Sequence, residues 1–220
     1  MRLRTILLFL PFAALPVRAA DAPVSPADEV RTLACEGPFA RDATEDSLKA
    51  AFGAANVEYK TVAGAEGMET QATVVFPNDP GRTVTVFWWD EAARAKPAMV
   101  QVQADFAGDP DGTNPWKTDI LWQSAQGIRI GSTLEQIETL NGKPFDVSGF
   151  GWDYGGFAVA WNGGTLETDE GGCNLTVRFA PSADPVPDGA LGDTQLKSDG
   201  AEMAAAKPRV TEFSIGYPSE

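Results

Sequence analysis

Apolar positions recur with helical spacing in two short stretches of this chain and with strand spacing in eight others. The first helical stretch is DATEDSLKAAFG (42–53), where Leu48, Ala51 and Phe52 form one stripe. The second is GSTLEQIETLNG (131–142), where Leu134, Ile137 and Leu140 do the same. Asp42 stands three residues before Glu45, and Ser132 three before Glu135. That is capping-box spacing, in which side chains satisfy the orphan N–H groups of a first helical turn. Gly53 and Gly142 then suit the left-handed position that ends a helix. The strand-like runs are 57–62, 71–76, 83–89 and 98–104 after the first helix, and 145–150, 156–161, 174–179 and 210–217 after the second. In 83–89, alternation sets Val84, Val86 and Trp88 against Thr85, Phe87 and Trp89. In 174–179, it sets Leu175, Val177 and Phe179 against Thr176 and Arg178. The first set is apolar in both runs and is expected to face the helices. The second set is expected on an open sheet face.

The elements come in the same order twice. An offset of 89 aligns Thr44 with Thr133, Leu48 with Ile137, Ala51 with Leu140 and Gly53 with Gly142. An offset of 91 aligns TVTVFW from Thr83 with NLTVRF from Asn174. This points to an internal duplication. The expected fold is α+β: two tandem units, each a helix plus a four-stranded antiparallel sheet, at 20–106 and 127–220, with a linker at 107–126. The second unit holds an insertion at about 180–208, rich in Pro, Asp, Gly and Ala, which reads as a long, mobile surface segment. Its Asp188, Asp193 and Asp199 read as solvated. The glycine pairs at 155–156, 163–164 and 171–172 read as hairpin turns.

The start of the chain adds a compartment. Arg2 and Arg4 precede a ten-residue uncharged apolar run, 6–15, then Pro16 and a small-residue site with Val17 and Ala19. This is the layout of a secretory signal peptide, 1–19, giving a periplasmic or secreted protein that begins at Ala20 or Asp21. The run is half of what a membrane span needs, so no stable membrane insertion is expected. Arg2, Arg4 and Arg18 leave with the leader, so fourteen basic residues then face thirty-one acidic ones, a net charge of −17. Such a chain repels nucleic acid. There is no histidine, which removes Ser-His-Asp and Cys-His catalysis and histidine metal sites. Cys35 and Cys173 are the two cysteines. In an oxidising compartment they are expected to form one disulfide. Oxygen-bearing side chains alternate in Asp109-Pro-Asp111-Gly-Thr-Asn114, but Pro110 intrudes and no closing Glu follows. The stretch reads as a polar turn rather than a calcium loop, and no metal or cofactor is expected. Asn174-Leu-Thr176 has the form of a glycosylation sequon but lies inside an expected strand.

The stretch GIRIGSTLEQIETLNGKP from Gly127 resembles a known module. Ile128, Ile130, Gly131, Thr133, Ile137, Leu140, Gly142 and Pro144 match the motif of the BamE (SmpA/OmlA) outer-membrane assembly lipoproteins and of the β-lactamase inhibitor proteins (BLIP). The match covers about 20 residues. Phe39, Thr44, Leu48 and Gly53 match the motif more sparsely in the first half. The resemblance implies two helix-plus-four-strand units side by side with a concave sheet. The motif is structural, so it implies a fold rather than an activity. No lipid-attachment cysteine follows the expected cleavage site, a departure from the assembly lipoproteins. NGKPFDVSGFGWDYGG is also similar to exported bacterial proteins of this layout, a likeness that carries no activity with it.

Two aromatic groups are the candidate binding residues. Trp152, Asp153 and Tyr154 lie in a glycine-bounded turn, and Phe87 and Trp89 lie on the expected open face. Such rings contribute large contact area at low entropic cost. Their alternative role is packing, as core or as a cover over a sheet end. Trp88 and Trp161 are assigned to the core. The expected function is non-enzymatic recognition of another protein, in the cell envelope or outside it. Two other readings stand: a hydrolase working with carboxylates alone, such as a glycosidase, and an envelope scaffold without a small ligand.

Overall fold

The computed structural model describes residues 29–104, 119–167 and 172–219. The leader and the 109–114 turn lie outside the described residues. The elements are β1 (Arg31–Leu33), α1 (Glu45–Phe52), β2 (Val57–Ala63), β3 (Glu69–Val75), β4 (Val84–Asp90), β5 (Ala95–Gln103), β6 (Trp122–Ser124), α2 (Leu134–Asn141), β7 (Asp146–Ser148), β8 (Ala158–Ala160), β9 (Asn174–Ala180), β10 (Gln195–Lys197), α3 (Ala201–Ala206) and β11 (Arg209–Gly216). This is an α+β fold. Its main sheet is antiparallel, in the order β2-β3-β4-β5-β11-β9. A second sheet, β10-β7-β8, meets β9 through a bridge between Phe157 and Arg178. β1 and β6 form a parallel pair.

Alternation works as expected except at Leu175, which is only half-buried. Val84, Val86, Trp88, Val177 and Phe179 are buried on the helix side, whereas Thr85, Phe87, Thr176 and Arg178 are only half-buried on the other face. One core joins both halves. It includes Leu48 from α1, Ile137 from α2 and Val100, Val102, Phe213 and Ile215 from the two central strands.

Each helix is pinned to the start of a central strand by matching backbone bonds. In the first half, Glu45 N–H donates to Arg94 O (2.9 Å) and Lys96 N–H to Ala43 O (3.0 Å). In the second, Leu134 N–H donates to Pro208 O (3.2 Å) and Val210 N–H to Ser132 O (2.9 Å). Two irregularities match as well. The β4–β5 register skips one residue between Phe87 and Trp88, and the β9–β11 register skips one between Arg178 and Phe179. These two places are related by the offset of 91.

Several expectations need correction. The capping boxes are one or two residues later than the Asp42 and Ser132 spacing suggests. Thr44 pairs with Ser47, and Thr133 with Gln136. Both threonines are bridged to the central strands, at Ala95 and Arg209, so extended backbone persists to these residues and the helix starts after them. Ala51 is exposed and Leu140 is 38% exposed, while Asn141 is buried in their place. The insertion at about 180–208 is not a mobile surface segment. It contains β10 and α3, and Ala190, Met203 and Ala206 are fully buried. Met203 and Ala206 lie three apart on a helix of good helix formers, which is enough to seat one apolar edge. β6 falls within the stretch read as linker, yet Trp122 is buried against Phe39 with ring centroids 5.8 Å apart. Trp161 is half-buried rather than fully so, with its ring 5.0 Å from Phe145.

The disulfide is formed between Cys35 and Cys173, with Cα atoms 6.3 Å apart across 138 positions of sequence. It ties the segment after β1 to the start of β9. Among the described residues, no helix is long and apolar enough to cross a membrane.

Candidate functional site

The chain between β7 and β8 cannot run as a hairpin, because both strands stop after three residues. It folds instead into a compact turn held from below. Gly156 has φ +83°, and a Cβ there would come within 2.1 Å of Phe179 O, so only glycine lets this turn press onto β9. Phe179 N–H donates to Gly156 O (2.8 Å), and Gly156 N–H to Ser148 O (3.1 Å). Arg178, on the open face of β9, grips the turn from the side. Its Nε donates to Gly155 O (2.9 Å) and its guanidinium NH2 to Asp153 O (2.7 Å). The Trp152 indole N–H closes the turn on Gly149 O (3.0 Å).

Held in this way, the turn displays its rings. Trp152 is 36% exposed and Tyr154 46%, and they meet edge-on with centroids 5.7 Å apart. Asp153 between them is exposed. Leu191, 40% exposed, comes alongside from the insertion, whose backbone brackets Phe150: Phe150 N–H donates to Ala190 O and Gly192 N–H to Phe150 O. Between the turn and the sheet lies a groove of about 320 Å³. Phe150, Trp152 and Leu191 form its apolar wall, with Gln103, Arg178 and Glu212 on the polar side. Burial raises the Glu212 carboxyl above its ordinary value of 4.5, against the opposing effects of the Gln101 hydrogen bond and the Arg178 charge.

The second aromatic group lies elsewhere. Trp89 is 54% exposed at the end of β4, with its indole N–H on Tyr217 O (3.0 Å). It borders a depression of about 370 Å³ with Arg41, Lys96, Tyr217 and Pro218. Phe87 is half-buried and pairs with Met99. Arg178 pairs with Glu212, which pairs with Gln103, four residues beyond Met99 on β5. Four residues span about 13 Å, and the three strand spacings from β4 to β9 add about 14 Å at right angles, so about 19 Å separates the groups. The structure therefore brings Trp152, Asp153 and Tyr154 together and places Phe87 and Trp89 at the diagonally opposite corner. None of the five is fully buried.

Besides Phe150 and Gln103, the groove residues that sequence reading did not select include Arg178, Glu212 and Leu191. Arg178 carried a signal: it is a charged residue on the open face, aligned with Phe87. Glu212 and Leu191 carried none, because their roles depend on register with a distant strand and on the path of the insertion.

Away from the groove, a buried polar network supports the first helix. The Trp88 indole N–H donates to Thr73 Oγ1 (2.9 Å), and Thr73 Oγ1 donates to Glu45 Oε2 (3.0 Å). Lys49 Nζ lies 2.5 Å from Glu45 Oε1, and Arg94 Nε lies 3.0 Å from Oε2. In the second half, Asp146 is held below its ordinary 3.8, chiefly by the hydrogen bond from Lys197, with further bonds from Gln195 and Asn162. No protein-family model, curated protein or solved structure matches the chain.

Proposed function

We propose that this is an exported, non-enzymatic binding protein built from two tandem BLIP/BamE-like units, which recognises another protein through the aromatic turn at 149–156 and the neighbouring open sheet face. The tandem reading is supported by the matching helix pins and by the matching register skips. The helix ends of the pins recur at the offset of 89 and the β4 and β9 sides of the skips at 91, whereas Arg94 and Lys96 on the central strand correspond to Pro208 and Val210 at a wider spacing that takes in the insertion. Export agrees with the formed disulfide, since such bonds persist in oxidising compartments.

The observation that carries the binding reading is the exposed cluster of Trp152, Tyr154 and Leu191 around a groove. Protein hot spots combine large rings, a pocket and a polar rim in this way. Asp153 between the rings can pair with a cation on the partner while its neighbours exclude water. A carboxylate-only hydrolase fits less well. It needs two opposed carboxyl groups, and the described lining of this groove offers Glu212 alone. A scaffold without a ligand would have no use for displayed rings.

The test is capture of partners from an envelope extract with the mature protein, followed by affinity measurement. Trp152→Ala is expected to weaken binding by about 30-fold or more, and a rim substitution by less than about fivefold. Trp89→Ala tests the opposite corner separately. Unchanged affinity in both Trp152→Ala and Asp153→Ala, with folding intact, moves the site elsewhere.

A further inference from the structure

The edge of the main sheet offers a second interaction surface, independent of the aromatic turn. β2 is an edge strand of seven residues with no proline and an unbroken register to β3, from Val57↔Val75 to Ala63↔Glu69. Phe76 N–H donates to Asn56 O and Gly64 N–H to Met68 O. In an antiparallel ladder hydrogen-bonded positions alternate, so the even-numbered residues bond to β3. The backbone N–H and C=O groups of Tyr59, Thr61 and Ala63 then point outward, together with the C=O of Val57, whose N–H is held by Ala54 O. A regular edge of this length is a template for another strand. Glu58, Thr61 and Ala63 are exposed on it.

The side chains say which strand fits. A two-fold axis perpendicular to the sheet pairs β2 with a second copy of itself, antiparallel, and keeps each side chain on its own face. With the axis at Tyr59, Tyr59 faces its own copy in a hydrogen-bonded pair, and Val57 faces Thr61, whose N–H can donate to Val57 O. Glu58 then faces Lys60 of the second copy, and Lys60 faces Glu58. These are non-hydrogen-bonded positions, where side chains approach most closely and opposite charges stabilise. An axis at Glu58 or Lys60 would instead set like charges face to face. Glu58 and Lys60 already share one face, with Lys60 Nζ 3.6 Å from Glu58 Oε2, so the dimer would extend an existing pair into a four-charge cluster.

We propose that the protein forms a two-fold dimer through β2, in the register centred on Tyr59, joining two six-stranded sheets into one. The open faces of the two copies would then share one surface. A partner with two contact points could engage both copies and gain avidity without any new contact.

The experiment uses the mature full-length protein, with light scattering and sedimentation from 1 to 200 μM at low salt. A concentration-dependent dimer is expected. Lys60→Glu sets two like-charge pairs in place of two opposite ones and is expected to raise the dimer dissociation constant at least about tenfold. Glu58→Lys is expected to do the same, while the double variant Glu58→Lys/Lys60→Glu restores the pairing and the dimer. Both residues are surface residues, and circular dichroism checks that each variant folds. A monomer throughout the range overturns the proposal. So does a dimer indifferent to both single substitutions, or a double variant no better than either single one.

Discussion

The two halves of the molecule share a frame and differ in what hangs from it. In both, a threonine-capped helix is bonded to the start of a central strand. In both, the strand paired with the central strand, β4 with β5 and β9 with β11, carries an open-face residue beside a register skip. The first half completes its sheet with a regular hairpin, β2–β3, of seven residues on each side. The second half has β7 and β8 of three residues each, with a break in register between Asp146 and Val147. A regular hairpin satisfies its own backbone and ends in a short connection. A truncated pair leaves nine residues of backbone to be held by other means. Here Ser148, Arg178 and the edge of β9 hold them, and the rings are displayed as a result. The display of the aromatic turn is thus a consequence of shortened strands.

Equivalent positions also use different chemistry. Phe52 and Asn141 are related by the offset of 89. Phe52 is half-buried between Phe39 and Phe76, with centroids 5.5 and 5.7 Å away. Asn141 is buried, donating to Lys143 O (2.9 Å) and Trp161 O (3.0 Å) and accepting from Leu166 N–H (3.2 Å). Where the first half fills space with a ring, the second ties down irregular backbone with an amide. Glu45 and Leu134 show the reverse, with a buried carboxylate paired to the partly exposed Lys49 and Arg94 in the first half and an aliphatic side chain in the second.

The largest expected effect comes from cutting the link between halves. Cys35→Ser/Cys173→Ser opens a closed loop of 138 positions, and the chain-entropy model assigns such a loop about 4–5 kcal/mol. Denaturant midpoints of the oxidised protein and the double variant should differ accordingly. A difference near zero would mean that packing between β5 and β11 alone sets the stability. Next comes the Phe52–Asn141 contrast. Asn141→Leu leaves buried backbone groups unpaired and is expected to cost about 2–4 kcal/mol, whereas Phe52→Leu exchanges apolar groups and should cost less than about 1.5 kcal/mol. Equal losses at the two sites would mean that the ring and the amide play the same part.

The smallest effect is on pH dependence. Glu212 has its folded-state value raised by burial, so the folded protein takes up the proton first. Its contribution becomes more favourable as pH falls from neutral through the raised value toward 4.5, and is lost again as pH rises. Asp146 is shifted the other way. Its contribution is present above 3.8 and is lost as pH falls through its lowered folded value. Urea midpoints between pH 7.5 and 3 should show Glu212→Gln flattening the upper window and Asp146→Asn the lower. A wild-type profile unchanged by Glu212→Gln would show that this carboxyl is solvated in the folded protein.

The α+β class and the local elements were legible in the sequence, but the expected four-stranded sheet of the second half is split, with β9 and β11 in the six-stranded main sheet and β7 and β8 paired with β10. The helical stripes at Leu48 and Ile137, the glycines at 53 and 142 and the alternation in 83–89 are local signals. Each reflects a period or a backbone preference that one segment carries by itself. The cysteine pairing needed only two cysteines and the expectation of an oxidising compartment. The sequence also marked Trp152, Asp153 and Tyr154 as a turn, because glycines bound them. The rest required partners far along the chain. Helix caps moved to Thr44 and Thr133 because bridges to Ala95 and Arg209 keep the backbone extended up to these residues. Asn141 entered the core because loops around Lys143, Trp161 and Leu166 need its amide, a demand that no helical period encodes. The insertion became structure because Met203 and Ala206 found a core to join. Glu212 and Leu191 reached the groove only through strand register and chain path. Local sequence determined which elements form and which faces are apolar. Long-range backbone pairing decided where each element stops and which exposed rings share a surface, because those outcomes depend on hydrogen bonds between residues that the sequence does not place side by side.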